Sequence, residues 1–217
     1  MKKTITTINS FLKGKTKNIL SGIMLAVLLI VCTTGFGQKA FISNSVSAGD
    51  ISIVNTTNNA ILSPVSFAGA GNGHTGICSS PDGTKMYFVK SNGHQLISFN
   101  AITNAQIGSN FELGTSTFPE GICISPDGNK VYITSLNDSR VKKVTISTMV
   151  LEYSLPNIAT LAQHICITPN GDKLFVSRST GSNNVVVLNA TDLSVMGTTT
   201  AGNSPYGIAM SPVEHKV

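Results

Sequence analysis

Apolar residues in this chain fall into short runs separated by turn signals, with no helical spacing sustained after residue 37. The clearest unit is 121–134. Ile122-Cys123-Ile124 leads into Ser125-Pro126-Asp127-Gly128, and Val131-Tyr132-Ile133 follows. Proline fixes φ at the second turn position, aspartate tolerates the third, and glycine supplies the positive φ that closes a hairpin. The flanking runs are rich in β-branched and aromatic residues and do not alternate with polar ones. That pattern predicts strands covered on both faces.

The unit recurs. Pro81, Pro126, Pro169 and Pro212 are spaced by 45, 43 and 43 residues. Three positions before them stand Cys78, Cys123, Cys166 and Ala209; six positions after come Tyr87, Tyr132 and Phe175, with Phe41 in an earlier partial copy. A third strand is predicted at 51–54, 96–99, 141–146 and 185–188. A fourth is predicted at 60–67, 106–113, 150–155 and 194–199. Four short strands per period of about 40–45 residues predict the blades of a β-propeller, each small sheet burying its faces against its neighbours. The expected class is all-β, with about four blades near 38–72, 73–116, 117–160 and 161–203, and a partial unit at 204–217.

Ser204-Pro205-Tyr206-Gly207-Ile208-Ala209-Met210-Ser211-Pro212 and Asn129-Lys130-Val131-Tyr132-Ile133-Thr134 resemble the YVTN-type propeller repeat of surface-layer and related secreted proteins. The resemblance implies the fold and an extracytoplasmic setting, and no single activity. The repeated region starts at a second strand, 39–43, and reaches a first strand at 206–211. A four-blade ring closed between these two is one reading. A fragment of a larger propeller is the one favoured.

The formal charge of +5 is concentrated at the amino terminus, in Lys2, Lys3, Lys13, Lys15 and Lys17. From residue 38 onward, 10 Lys and Arg balance 10 Asp and Glu, which excludes an electrostatic case for nucleic acid. The basic segment, the apolar run 19–31 and the small residues 33–37 predict a secretory signal peptide over 1–37, cut after Gly37. The protein is then exported, to the periplasm, cell surface or medium. Membrane attachment would come only through that segment or a disfavoured lipid anchor at Cys32. Cys78, Cys123 and Cys166 share one repeat position, so they are expected to be small, buried and unbridged, because equivalent atoms of neighbouring blades lie beyond disulfide reach.

Candidate chemistry sits where the copies disagree. The loops leading into the innermost strands contain Thr75, Glu120, Gln163 and Tyr206 at one register position, with His164 in the place of a repeated glycine and His74 nearby. These six are the candidate ligand-binding residues. Glu120 and His164 are the alternative catalytic pair for acid–base work. No metal set or cofactor is assigned, since His74, His164 and Glu120 lack close ligand spacing. Arg140 and Arg178 are expected away from this mouth, and His94 and His215 in solvent. The resulting reading is a non-enzymatic binding or cell-surface module taking a protein or carbohydrate ligand. The alternative is a lactonase-like propeller hydrolase, and a metal or redox propeller comes third.

Overall fold

The computed structural model describes residues 39–44, 50–66, 73–115, 117–153, 161–179 and 184–211; at 50, 63, 66, 74, 75 and 184 it describes the backbone alone. The predicted leader 1–37, Cys32, Pro212 and His215 lie outside the described residues. Among these residues the structure is all-β, in four antiparallel sheets. Blade 1 holds β1 (Lys39–Ser43), β2 (Asp50–Asn55) and β3 (Ala60–Ser66). Blade 2 holds β4 (His74–Ser79), β5 (Lys85–Lys90), β6 (Gln95–Asn100) and β7 (Phe111–Glu112). Blade 3 holds β8 (Pro119–Ile124), β9 (Lys130–Ser135), β10 (Arg140–Thr145) and β11 (Val150–Tyr153). Blade 4 holds β12 (Ala162–Ile167), β13 (Lys173–Arg178), β14 (Asn184–Asn189) and β15 (Val195–Thr200). Strands pair in chain order within each sheet. The innermost strands β4, β8 and β12 lie side by side, so the sheets are arranged as propeller blades.

The two Ser-Pro-Asp-Gly turns and the Thr-Pro-Asn-Gly turn at 168–171 close as the sequence predicts. The Gly83, Gly128 and Gly171 N–H groups each donate to the residue-80, -125 and -168 carbonyls at 2.9 Å, and the three glycines have φ of 69°, 73° and 78°. Asp82 accepts from the Ser80 hydroxyl, the Thr84 N–H and the Thr84 hydroxyl, which pull its pKa down to about 2. The aspartate is a turn residue, as its position suggests.

Each second strand serves two neighbours, because side chains alternate across a strand. On β5, Met86 and Phe88 pack with Ile51 and Ile53 of blade 1, whereas Tyr87 and Val89 pack with Ile122, Val131 and Ile133 of blade 3. On β9, Val131 and Ile133 turn back to blade 2, and Tyr132 turns forward to Leu174 and Val176 of blade 4. The unbroken apolar runs follow directly: both faces are interior. Full burial of each such side chain contributes about 1.5–3 kcal/mol. The three cysteines are free. Cys166 is buried and the other two are half-buried, facing Tyr87, Tyr132 and Phe175 across their ladders.

Two expectations change. The fourth strand of blade 2 was predicted over 106–113 but is interrupted. Gln106 bridges Phe99, pairing resumes at Phe111 opposite Leu96, and four residues, 107–110, stand against two on β6. The kink has Gly108 at φ 68°. Residues 206–211 were read as a first strand and carry no ladder with any of the described residues; among these residues β1 is the edge of its sheet.

Candidate functional site

The three innermost strands and the segment at 204–211 start the same way. Gly73, Phe118, Leu161 and Ser204 occupy one repeat position, and all four are left-handed, with φ of 94°, 46°, 50° and 48°. Two residues later, β4, β8 and β12 each carry a β-bulge against the facing strand, at 75–76, 120–121 and 163–164. A bulge re-aims side chains and leaves one extra N–H without a ladder partner. Hydroxyls of the facing strands take it up. Gly121 N–H donates to Thr134 Oγ1 at 2.8 Å, and that hydroxyl donates onward to the Gln163 carbonyl at 2.8 Å. His164 N–H donates to Ser177 Oγ at 3.2 Å, and Ser177 donates to the Tyr206 carbonyl at 2.6 Å. One hydroxyl thus completes a bulge and ties its blade to the next inner segment. The sequence reading missed these hydroxyls. Their signal is that Thr134 and Ser177 share a register that Val89 occupies in blade 2.

The glycines beside the bulges are steric necessities. A Cβ on Gly76 would lie 2.6 Å from the Glu120 carbonyl oxygen, and one on Gly121 would lie 2.7 Å from that of Gln163. His164 replaces this glycine in blade 4.

The bulges bring Glu120, His164 and Tyr206 together. The Tyr206 hydroxyl donates to Glu120 Oε1 at 3.4 Å, and the His164 and Tyr206 rings are 4.9 Å apart at a tilt of 59°. Half-burial raises the Glu120 pKa, opposed by the Tyr206 hydrogen bond and by the charge of His164. Tyr206 is exposed at the rim, and the negative charge of Glu120 raises its phenol pKa. Gln163 turns elsewhere, its Nε2 donating to Ser179 Oγ at 2.9 Å. His74 and Thr75 open β4 at the same end, with their backbones alone described. His94 is half-buried rather than solvent-exposed: Phe118 N–H donates to its Nδ1 at 3.4 Å, and the two rings lie 5.3 Å apart. Arg178 is not remote either. It pairs with Ala162 beside Gln163, and Arg140 pairs with Ser135, itself opposite Pro119. Strand ends that follow the second strand return to the mouth in an antiparallel blade, which is why both arginines come back to this end. Among the described residues, no three His, Cys, Asp or Glu side chains gather as a metal set.

A half-buried carboxylate with a raised pKa, an imidazole and a phenol at one rim can exchange protons with a bound molecule and hydrogen-bond its hydroxyl or carbonyl groups.

No protein-family model matches the chain. No curated protein matches it either. Solved structures do. A Bacteroides uniformis protein provisionally named 6-phosphogluconolactonase is 14% identical with a TM-score of 0.65, matching 82% of this chain and 59% of its own. A Desulfotomaculum acetoxidans protein of unknown function is 19% identical with a TM-score of 0.66, matching 80% of this chain and 56% of its own. Kuenenia stuttgartiensis hydrazine synthase is 20% identical with a TM-score of 0.63, matching 73% of this chain and 44% of its own. The chain therefore spans about half the length of the structures it resembles. At these identities the likeness concerns fold, and it agrees with the strand order: this is an all-β, propeller-like chain of repeated antiparallel blades.

Proposed function

We propose that the mouth built by the three bulges is the working face of an exported propeller that hydrolyses a small cyclic ester. The observation that carries this reading is the convergence of Glu120, His164 and Tyr206 from three successive repeat units. In this reading Glu120 takes a proton from the attacking water, whose oxygen bonds to the ester carbonyl. The Tyr206 hydroxyl holds the carboxylate, and His164 delivers a proton to the ring oxygen as the carbonyl–oxygen bond breaks. The provisional lactonase name of the Bacteroides uniformis protein of similar fold lends it support. The test is hydrolysis of 6-phosphoglucono-δ-lactone and glucono-δ-lactone, followed by proton release. Turnover above the spontaneous rate should fall by about 100-fold in Glu120→Gln. A parent rate equal to the spontaneous rate ends the hydrolase reading.

A second reading is a non-enzymatic surface module of the YVTN type that holds a protein or carbohydrate at the same rim. The exposed Tyr206 ring against His164 favours it, since a rigid aromatic with a polar tip is a low-entropy contact. Binding lost in Tyr206→Ala, with no lactone turnover in the parent, would select it.

A further inference from the structure

The three seams between blades are closed differently at the end opposite the mouth. Between blades 1 and 2, Lys39 Nζ donates to the Ala101 carbonyl at 3.1 Å. Between blades 3 and 4, the Tyr132 hydroxyl donates to the Ala190 carbonyl at 3.0 Å, and Lys143 Nζ donates to the Thr191 carbonyl at 2.5 Å. Tyr132 and Lys143 are cross-strand partners. The partners at the same register in blade 2 are Tyr87 and Ser98. The residues matching Ala190 and Thr191 are Ile146 and Ser147, because Ile146 N–H donates to Asn129 as Ala190 N–H donates to Asp172. No bond crosses this seam from either position among the described residues. The Ser98 hydroxyl donates to Ile107 of its own blade at 3.1 Å. Tyr87 is 4% exposed, and its hydroxyl has no hydrogen-bond partner among the described residues.

A cleft of about 660 Å³ occupies the place of the missing ties, and Tyr87, Ser98, Ile146 and Ser147 all line it. Its volume is in the ordinary range for small-molecule sites. The kinked segment 107–110 forms its outer wall, so the two residues inserted there hold it open. Leu96, Phe111 and Met149 give it an apolar side. A smaller opening continues along Tyr87 and Lys85 to the turn carboxylates Asp82 and Asp127.

We propose that this cleft binds an uncharged, hydroxyl-rich ring of the pyranose class. The ligand replaces the missing tie: a hydroxyl donates where Tyr132 and Lys143 donate in the next seam, another meets the Tyr87 phenol, and the apolar ring face lies on Phe111. A cation is disfavoured because Lys85 is the charged group in the larger cleft. The proposal does not rest on the mouth reading, since the cleft shares no residue with it.

The test is saturation-transfer NMR on the exported chain with methyl α-glucopyranoside, methyl β-galactopyranoside and methyl α-mannopyranoside at about 10 mM, where weak pyranoside sites with Kd about 1 mM are occupied. Transfer to at least one is expected. Ser98→Lys copies the tie of blade 3 and fills the cleft; binding should fall at least about tenfold while the urea midpoint rises. Tyr87→Phe should weaken binding about fivefold with little change in midpoint. Absence of transfer to all three probes overturns the proposal, as does parent-like binding in Ser98→Lys. If Ser98→Lys does not fold, Tyr87→Phe decides alone: unchanged affinity overturns it.

Discussion

The seam between blades 2 and 3 and the seam between blades 3 and 4 are made from copies of the same repeat, yet they are fastened differently. At the mouth both are tight, with a glycine at each bulge that leaves no room for a Cβ. At the far end one is tied by Tyr132 and Lys143, and the other stands open between Tyr87 and Ile146. The lesson is that close approach near the axis and closure at the far end are separate properties, carried by different residues. A repeat can lose the second and keep the first.

The largest effects should come from the shared property. Gly76→Ala and Gly121→Ala each drive a Cβ into backbone, and we expect a loss of about 3 kcal/mol in each, read as a lower urea midpoint. A tolerated substitution at one of them would mean that the two seams differ at the mouth as well. The next effect separates the seams. Tyr132→Phe strands a buried carbonyl and should cost about 1–2 kcal/mol, whereas Tyr87→Phe should change stability by less than about 0.5 kcal/mol. Equal losses would show that Tyr87 has a partner in solution and that the open seam closes. Thr134→Val is expected to cost about 1 kcal/mol, since it removes the tie to Gln163 that Val89 never makes in blade 2.

The smallest contrast is electrostatic. Glu120 stands where the next seam has Gln163, and burial raises its pKa. A folded carboxyl that holds its proton more tightly than the unfolded one adds stability below the ordinary carboxylate pKa. That contribution declines as pH rises and is fully lost above the raised folded value. The difference in unfolding midpoint between the parent and Glu120→Gln should therefore shift slightly against the parent from pH 4 to pH 7, the turn aspartates contributing equally to both. Identical profiles would mean that the carboxylate is solvated.

Much of this architecture was legible beforehand. The turn glycines, the two-sided apolar strands and the register of Cys78, Cys123 and Cys166 follow from local chemistry repeated in order. The mouth was legible as positions but not as contacts. That Glu120 meets Tyr206 while Gln163 turns to Ser179 depends on bulges, which shift register by one residue without altering composition. The kink at 107–110 left a trace in the spacing: 45 residues from Pro81 to Pro126, against 43 in the next two intervals. Those two extra residues are the ones that stand unopposed on β6, but spacing alone does not say whether an insertion lengthens a loop or bends a strand. The arginines were misplaced because position along the chain was read without the antiparallel return of the strand.

The matched cysteines offer a clock. Burial pushes the Cys78 thiol up to about 12 and the Cys166 thiol to about 11, and holds Cys123 well above its usual value. None reacts appreciably as a thiolate at neutral pH while its blade stays in place. Each sits on the inner strand of a different blade, so alkylation, resolved by peptide, times the opening of each blade separately. A looser seam between blades 2 and 3 would expose Cys78 and Cys123 before Cys166, and the order of modification would record the sequence in which the row of sheets comes apart.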